Sequence, residues 1–326
     1  MPANGATLLL PESRWFSGQS MPPGLARALA RADRLPDDGP GERLQLLRQF
    51  EVLPRGWPIA ALTRQADAGD AAGSAWLRAD PCWVRPDING ARLLAHGDAL
   101  QLTQDDVDAF LPALRPVFGD AGFTLDAPLP ARWYLRLPRE AKLPMFAEPA
   151  EALGADIFDY LPGADASTEG RRWRTLLSDV QVMLHNHPWN ARRSAAGKAP
   201  VNSLWFWGGG TLPDHVATPY RTVVSDDAVL RALSAAANVP PDALPLRFAL
   251  ASGPQLIDQR DARDLAALHE NWLQPALLAL GRGTLARLRL DCADGIGYAL
   301  TRGQRWRFWR RPLPTFGTAP AQRSAA

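Results

Sequence analysis

Residues 185–211 read HNHPWNARRSAAGKAPVNSLWFWGGGT, and the apolar segment within them, 201–207, decides the fold. In an extended backbone, side chains alternate between the two faces of a strand. Two tryptophans therefore face one side of this segment, while a leucine and a phenylalanine face the other. A strand that is apolar on both faces is typical of a sheet covered on both sides. The segment predicts a buried strand that ends at Gly208, Gly209 and Gly210.

Helices and strands alternate along the rest of the chain. We predict strands at Thr7–Leu10, Ala131–Leu137, Leu246–Ala251, Leu285–Leu290 and Ile296–Leu300, with short strands between Trp57 and Leu102. We predict helices at Leu25–Arg34, Glu42–Glu51, Thr103–Leu114, Ser167–Leu184, Ser225–Ala236 and Asp261–Leu280. This alternation predicts an α/β protein whose mostly buried mixed sheet is covered by helices on both faces.

Proline-rich sequence after Asp126 indicates a domain boundary. We therefore predict an N-terminal α/β portion over residues 1–126 and a C-terminal α/β portion over 127–312, which carries the quoted motif. Residues 313–326 follow Pro312 and contain no apolar periodicity, so they are predicted to be a disordered tail.

The overall composition excludes several classes of protein. The 326 residues include 36 basic and 34 acidic side chains, a net charge of +2, which argues against a dedicated nucleic-acid-binding protein. No apolar run approaches the roughly 20 residues of a membrane helix, and the N-terminus lacks the basic start of a secretory signal. Two cysteines, Cys82 and Cys292, are too few for a disulfide framework or a zinc site. We expect a cytoplasmic protein.

The segment between Asp179 and Asp214 contains no acidic residue, where about three or four would be expected from the composition. Basic and amide side chains lie within it, and glycines let backbone N–H groups approach a phosphate. We therefore predict a phosphate or anion site formed by His187, Asn190, Arg192, Arg193, Lys198, Asn202, Gly208, Gly209 and Gly210. The alternative is that the glycines form a tight exit from a buried strand.

The residues do not indicate a catalytic centre. No Gly-x-Ser-x-Gly motif occurs, no Gly-Lys-Ser/Thr follows the glycines, and Pro213 stands where a dinucleotide fingerprint has its third glycine. His185 and His187 are two residues apart at a helix end, so they do not converge on a metal as an i, i+4 pair does. Catalytic residues remain unassigned, and we predict neither a metal site nor a cofactor.

The C-terminal segment Arg302–Arg311, RGQRWRFWRR, alternates arginines with aromatic residues. Such a pattern can bind single-stranded nucleic acid by backbone pairing and base stacking. As a strand, however, it places Trp306 and Phe308 on one face and Arg305 and Arg307 on the other. We favour this second interpretation, a half-buried edge strand over Arg305–Trp309.

The motif His187-Pro188-Trp189-Asn190, followed by Gly197-Lys198 and Pro200-x-Asn202, resembles a motif of the archaeal-type cofactor-independent phosphoglycerate mutases. The run from Asn202 to Gly208, NSLWFWG, more closely resembles a bacterial phosphoglycerate-mutase-like family that includes the RpfE-type regulatory proteins. The resemblance implies an α/β sheet with a degenerate alkaline-phosphatase-like core.

Two departures from the mutases bear on activity. The mutases open with a strand followed by a metal-binding Asp-Gly pattern, whereas this chain has Leu8–Ser13, LLLPES. Trp207 also stands where the mutases have an arginine before the glycine. Together with the acid-free basic segment, these departures favour a regulatory or ligand-binding protein that is related to the mutases, lacks the two-metal centre and binds a phosphorylated small molecule. The alternatives are a phosphomutase or phosphatase that would need Mn²⁺ or Mg²⁺, and a single-stranded nucleic-acid-binding module at Arg302–Arg311.

Overall fold

The structure is a computed structural model that describes residues 4–88, 90–161 and 168–317. The chain forms two compact units: unit 1 comprises Met1–Leu53 and His215–Ala326, and unit 2 is the continuous segment Pro54–Asp214. The division that we expected at residue 126 falls within a strand of unit 2, Thr124–Leu129. Pro128 lies in that strand and Pro130 in the hairpin turn that follows it, so these two prolines do not mark a linker.

The elements have the following bounds. The strands are β1 (Gly5–Leu10), β2 (Asp33–Arg34), β3 (Glu51–Leu53), β4 (Ala75–Asp87), β5 (Gly90–His96), β6 (Thr124–Leu129), β7 (Arg132–Leu137), β8 (Ser203–Thr211), β9 (His215–Ala217), β10 (Thr222–Val224), β11 (Pro241–Asp242), β12 (Gln255–Asp258), β13 (Arg287–Cys292) and β14 (Gly297–Leu300). The α-helices are α1 (Pro23–Arg31), α2 (Glu42–Leu47), α3 (Ile59–Ala68), α4 (Gln104–Asp120), α5 (Pro149–Ala152), α6 (Thr168–His185), α7 (Trp189–Ala195), α8 (Ala228–Ala236), α9 (Leu265–Leu268) and α10 (Gln274–Arg282). A π-helical turn, His269–Leu273, joins α9 to α10.

Unit 1 contains a mixed sheet with the strand order β11-β10-β12-β1-β13-β14-β2. The strands from β11 to β13 run parallel, while β14 and β2 each run antiparallel to the preceding neighbour. Every residue of β1 is buried, as expected for a central strand covered on both faces. Leu8 and Leu10 belong to a core that includes Leu25 and Leu29 of α1 and Ala276 of α10. The mixed α/β architecture is confirmed.

Unit 2 contains an antiparallel sheet in which the long strand β4 pairs with β5, β7 and β8. Apolar side chains of α4 and α6 pack on the sheet with Trp133, Leu135 and Phe206. Ala60 and Ala61 of α3 pack with Trp76 and Tyr134, which lie in neighbouring strands. Helix α4 begins with a capping box between Thr103 and Asp106, at the helix start that the sequence predicts.

Several predicted elements differ from those observed. The apolar run Trp57–Leu62 is not a short strand, because it enters α3. Leu246–Ala251 forms no strand, and the strand of that region is the fully buried β12. Ser225 does not cap α8, since Asp227 does so by accepting a hydrogen bond from the Leu230 N–H. Ser167, the expected start of α6, lies outside the described residues.

The C-terminal predictions need two corrections. Arg305–Trp309 is not an edge strand, because a 3₁₀ helix occupies Arg302–Trp306 and a turn follows. Part of the expected disordered tail is packed: Leu313 and Phe316 are buried, and the Phe316 ring lies 5.2 Å from that of Phe16. Residues 318–326 lie outside the described part of the chain. None of the described helices is both long enough and apolar enough to cross a bilayer.

Candidate functional site

Two asparagines of the predicted anion site hold backbone segments together. The Asn190 side chain donates to the Leu184 and Val201 carbonyls at 2.8 Å each and accepts from the Val201 N–H at 2.9 Å. The Asn202 side chain accepts from the Val84 N–H at 2.8 Å and donates to the Val84 carbonyl at 2.6 Å. Because both amide groups are already paired with the protein backbone, neither is positioned to recognise a ligand.

Arg193 is buried within unit 2 and does not face a ligand site. Its guanidinium forms an ion pair of 2.8 Å with Asp106 and donates to the carbonyls of Leu100 and Ala199. Asp106 also accepts from the Trp189 indole N–H at 2.7 Å. Burial acts to raise the pKa of Asp106, but hydrogen bonds from Trp189 and Arg193 overcome it, so the pKa lies below its usual value.

The remaining basic residues of the predicted site are dispersed. The exposed guanidinium of Arg192 lies 5.0 Å from the centre of the Trp189 ring, and the Lys198 ammonium donates to the Gln101 carbonyl at 3.2 Å. The His187 ring lies 4.9 Å from the Phe110 ring, and burial lowers the pKa of His187. His187 is therefore neutral near pH 7 and supplies no positive charge.

Gly208, Gly209 and Gly210 are part of β8 and allow other segments to approach it closely. A Cβ on Gly208 would lie 3.2 Å from the Cβ of Ile59, and one on Gly210 would lie 2.8 Å from that of Pro58. A Cβ on Gly209 would meet Leu143 at 2.5 Å. The glycines thus admit the first turn of α3 and the Leu143 side chain. This is packing, the alternative that the sequence left open.

The predicted residues do not form one anion-binding concavity. Asn202 precedes β8, whereas the glycines lie at its other end, so at about 3.3 Å per residue roughly 20 Å of strand separates Asn202 from Gly208. One phosphate cannot contact both ends. The anion site predicted from residues 187–210 is therefore corrected: its amide groups, Arg193 and its glycines contribute to the packing of unit 2.

Sequence reasoning missed a group of charged residues at the carboxyl edge of the unit 1 sheet. Ser225 follows β10 and Asp258 ends β12, and these strands are parallel neighbours. Ligands of open α/β sheets bind at this edge. We call the group formed by Glu42, Ser225, Asp227, Asp258 and Arg260 the Arg260 cluster.

Arg260 connects the carboxylates of this cluster. Its Nε and Nη2 donate to the two oxygens of Asp258 at 2.8 Å each. Nη1 donates to Glu42 and Nη2 to Asp227, both at 2.9 Å. The Ser225 hydroxyl donates to the second oxygen of Asp258 at 2.7 Å. Arg260, Ser225 and Asp258 are buried, whereas the side chains of Glu42 and Asp227 are 53% and 37% exposed, so only the Asp258 side of the network is shielded from water.

The carboxylates of the cluster differ in their titration. Burial acts to raise the pKa of Asp258, but hydrogen bonding and charge from Arg260 outweigh it and hold the pKa below its usual value. For Glu42, whose side chain is 53% exposed, partial loss of hydration raises the pKa despite Arg260, and the negative charges of Asp227 and Asp258 add to the rise. The guanidinium therefore stabilises Asp258 as the ionised partner.

A second polar network lies at the end of β13. Asp291 accepts from Arg48 at 2.6 Å and from the Gln49 amide at 2.8 Å. The Tyr220 hydroxyl donates to the side-chain amide oxygen of Gln49 at 2.6 Å. After β1, Ser13 donates to Asp294. Each of these carboxylates already has donors within the chain.

These donor sets do not fit a divalent metal centre. Metal sites for Mn²⁺ or Mg²⁺ require several oxygen ligands around one cation. In residues 4–88, 90–161 and 168–317, no three His, Cys, Asp or Glu side chains are grouped so that they could hold a metal ion. In the Arg260 cluster, the common partner of the carboxylates is the guanidinium.

The pKa of Asp258 and that of Asp106 lie below the usual value, which predicts a pH dependence of stability. A carboxylate with a lowered pKa stabilises the fold above its unfolded pKa, about 3.9, and this contribution is lost as the pH falls. We expect the thermal midpoint to fall gradually below about pH 6.5, where His187 and His269 take up protons more readily in the unfolded chain than in the fold, and to fall more steeply below about pH 4. Calorimetry across this range checks it. A midpoint that rises on acidification would contradict the assignment.

Comparisons with known proteins relate part of the chain to phosphoglycerate mutases. No protein-family model matches the sequence. A segment of 73 residues is 40% identical to the 2,3-bisphosphoglycerate-independent phosphoglycerate mutase of Methanosarcina barkeri, covering 22% of this chain and 17% of that enzyme. A segment of 65 residues is 37% identical to the probable enzyme of Geobacter sulfurreducens, covering 20% and 16%. The matches thus span about a sixth of the relatives' length.

Solved structures were compared as well. The PH0037 protein from Pyrococcus horikoshii superposes with a TM-score of 0.47 and 11% identity, covering 92% of this chain and 88% of that chain. The cofactor-independent phosphoglycerate mutase from Thermoplasma acidophilum gives a TM-score of 0.40 and 14% identity, covering 92% and 90%. The relation to the mutases rests on the partial sequence matches.

Proposed function

We propose that this chain is a cytoplasmic regulatory protein of the RpfE type, related to the cofactor-independent phosphoglycerate mutases, that binds a phosphorylated metabolite without two-metal phosphoryl transfer. One observation carries the proposal: Arg260 is the cation shared by Asp258, Asp227 and Glu42 at the carboxyl edge of the parallel sheet. The partial sequence relation to the mutases supports the choice of ligand class.

A guanidinium cannot replace a catalytic metal. It offers fixed N–H donors and no open coordination position, so it neither activates a bound water nor stabilises an attacking oxygen as a metal pair does. Arg260 also uses its donors on Asp258, Asp227 and Glu42. A divalent cation would have to displace it and still find further ligands. The alternative of a Mn²⁺- or Mg²⁺-dependent phosphomutase or phosphatase therefore has no support from this cluster.

An activity and binding assay separates these functions. Purified protein would be incubated with 3-phosphoglycerate and Mn²⁺ or Mg²⁺, with the Thermoplasma acidophilum mutase as the positive control. We expect no conversion to 2-phosphoglycerate. In thermal shift measurements, we expect millimolar 3-phosphoglycerate or another phosphorylated metabolite to raise the unfolding midpoint without metal.

Two results would contradict this function. Metal-dependent turnover that Arg260→Met leaves unchanged would show that the cluster does not report on catalysis and that an active centre lies elsewhere. The absence of any midpoint shift across a panel of phosphorylated metabolites would refute the binding role. Arg287→Met, which changes an exposed arginine of unit 1, serves as the matched control.

A further inference from the structure

A groove of about 470 Å³ lies between α1 and α10 of unit 1, apart from the residues of the Arg260 cluster. Pockets that bind small molecules measure roughly 300–1,000 Å³. The groove is therefore large enough for a small organic ligand. Nothing in the proposed function depends on it, and it does not depend on the proposed function.

The sequence of each helix explains why the gap exists. Gly24, Arg27, Ala28 and Arg31 of α1 line the groove, and so do Gln274, Leu277, Leu278 and Gly281 of α10. Both sets follow the spacing i, i+3, i+4, i+7, which places four residues on one helix face. The sheet-facing residues Leu25, Leu29 and Ala276 lie on other faces. A Cβ added to Gly24 or Gly281 would meet no atom within 4 Å, so open space lies beside both glycines.

All of the ionisable side chains that line the groove are basic. Its lining includes Arg27, Arg31, Arg302, Arg305 and His269 and contains no Asp or Glu. Burial lowers the pKa of His269, so the arginines carry the charge near pH 7. The Nε of Arg31 is buried and, within the described part of the chain, has no hydrogen-bond acceptor. A ligand with a negative group would compensate this charge and could accept from such a donor.

The remaining lining is mostly apolar. Leu277, Leu278, Leu280 and Leu300 contribute to it; Leu278 is 53% exposed and Leu277 is half-buried, while Leu280 and Leu300 are buried. Covering Leu277 and Leu278 with hydrocarbon removes apolar surface from water, which favours binding. Inorganic phosphate would leave this surface wet, while a neutral hydrocarbon would leave the arginines without a counter-charge.

An irregularity of the helix supports a binding role. The π-helical turn His269–Leu273 precedes α10, and His269 within it lines the groove. Single π-turns within helices occur frequently at functional sites because they reposition side chains. Here the turn leaves the Asn271 carbonyl free to accept from the Phe248 N–H at 2.9 Å. The turn is thus fixed by a specific contact and places a polar side chain at the groove.

We propose that the groove between α1 and α10 binds a small amphipathic anion, an apolar chain that ends in one carboxylate or phosphate group. The leucines contact the chain, and Arg27, Arg31, Arg302 and Arg305 pair with the anionic end. Carboxylate and phosphate share the recognition chemistry, because each accepts hydrogen bonds from a guanidinium.

Titration calorimetry with four metal-free probes tests the ligand class: decanoate, decyl phosphate, decanol and inorganic phosphate, each below its aggregation concentration. We expect at least one of the two chain anions to bind about tenfold or more tightly than decanol, and inorganic phosphate not to bind. Whichever anion binds more tightly identifies the head group. Equal binding of decanol and both anions would overturn the proposal, as would no binding of either anion.

Substitutions in the groove test where the ligand binds. Arg27→Gln and Arg302→Gln should each weaken binding of the anion about tenfold, while Arg311→Gln, an exposed arginine outside the lining, should not. Gly281→Phe should fill the groove and abolish binding, yet keep the fold, because Gly281 lies in a helix with open space around it. Gly119→Phe is the matched control: it also places a phenylalanine on a helix, α4 of unit 2, where an added Cβ meets no atom within 4 Å, but it lies outside the groove lining. Binding that survives Gly281→Phe would overturn the location.

Oligothymidine serves as a fifth probe, because single-stranded nucleic acid is the alternative ligand for this region. Trp306, Phe308 and Trp309 are 58–75% exposed beside the groove-lining Arg305, an arrangement that can stack nucleic-acid bases. Arg307 and Arg310 already donate to carbonyls of 30–32, which reduces the free charge of the segment. Oligothymidine binding without binding of either chain anion would overturn the proposal. Because no probe needs metal or phosphoglycerate, failure here leaves the proposed function intact.

Discussion

Replacement of Arg260 by methionine should lower the free energy of unfolding of unit 1 by about 3–5 kcal/mol, the usual cost of removing one partner from a buried ion pair. Asp258 would stay buried with only the Ser225 hydroxyl and a backbone N–H of residue 260 as donors. Asp227 and Glu42 would add their repulsion. Urea unfolding monitored by circular dichroism measures the change.

Two further variants define the role of the guanidinium. Arg260→Lys keeps the charge but loses the paired N–H donors to Asp258, so we expect an intermediate loss of stability. Arg287→Met should change the free energy of unfolding by no more than about 0.5 kcal/mol, because Arg287 is exposed. If Arg260→Met costs as little as Arg287→Met, the cluster does not depend on its arginine.

Added cation extends this test to function. In Arg260→Ala, the carboxylates of Asp258, Asp227 and Glu42 lose their shared cation, but they are not grouped so that they could hold a metal ion. Millimolar Mn²⁺ should therefore raise the unfolding midpoint of this variant no more than that of the parent protein. A clearly larger Mn²⁺-dependent rise in Arg260→Ala would show that these carboxylates form a cation site and would weaken the argument for a non-catalytic role.

The strands and helices that sequence reasoning predicted correctly carry local signals. Apart from Thr7 and Ser203, β1 and β8 are apolar over their buried lengths, and α4 has a capping box at its start. Helix α3 was missed because its apolar start, Ile59–Leu62, is too short to distinguish a helix from a buried strand. β12 was placed too early, since Leu246–Ala251 is apolar yet lies outside any strand.

The candidate site was harder to predict because its charges are paired over long distances in the chain. The segment around Arg193 contains no acidic residue of its own. In the fold, however, Asp106 of α4 forms an ion pair with Arg193 of α7. Asp227 illustrates the same limit: it caps α8, as its position near a helix start suggests, and it also binds Arg260. The composition of a sequence window reveals neither the Asp106–Arg193 pair nor the Asp227–Arg260 pair. A segment rich in basic residues can therefore have a purely structural role.

The predicted glycine loop shows how packing can resemble a ligand site. Backbone that a phosphate can approach is also backbone that a helix can approach, and here Pro58 and Ile59 of the α3 start take that space. Glycine with φ of +66° at position 208 serves the close contact in either case. Only the neighbouring segment decides between them, and that segment is 150 residues earlier in the chain.

Replacement of Asp80 by alanine should destabilise unit 2 by about 3–5 kcal/mol, since it leaves a buried cation without its partner. Asp80 accepts from Arg78 Nε at 2.9 Å and Nη2 at 2.8 Å, and from the Trp207 indole N–H at 2.7 Å. The Trp133 N–H also points to it at 3.3 Å. The variant therefore leaves several buried N–H donors without an acceptor. Each unpaired donor costs about 1–3 kcal/mol, although these costs overlap.

The same strand supplies a matched control for Asp80. Asp87 of β4 pairs with Arg92 of β5, but both side chains are about half exposed, so Asp87→Ala should cost far less stability than Asp80→Ala. The double variant Arg78→Leu with Asp80→Leu removes both buried charges and should recover part of the loss seen in Asp80→Ala. Urea unfolding followed by tryptophan fluorescence suits all three variants, because Trp207 contacts Asp80 directly. If Asp80→Ala and Asp87→Ala lose equal stability, the burial of the Arg78–Asp80 pair contributes nothing to the fold.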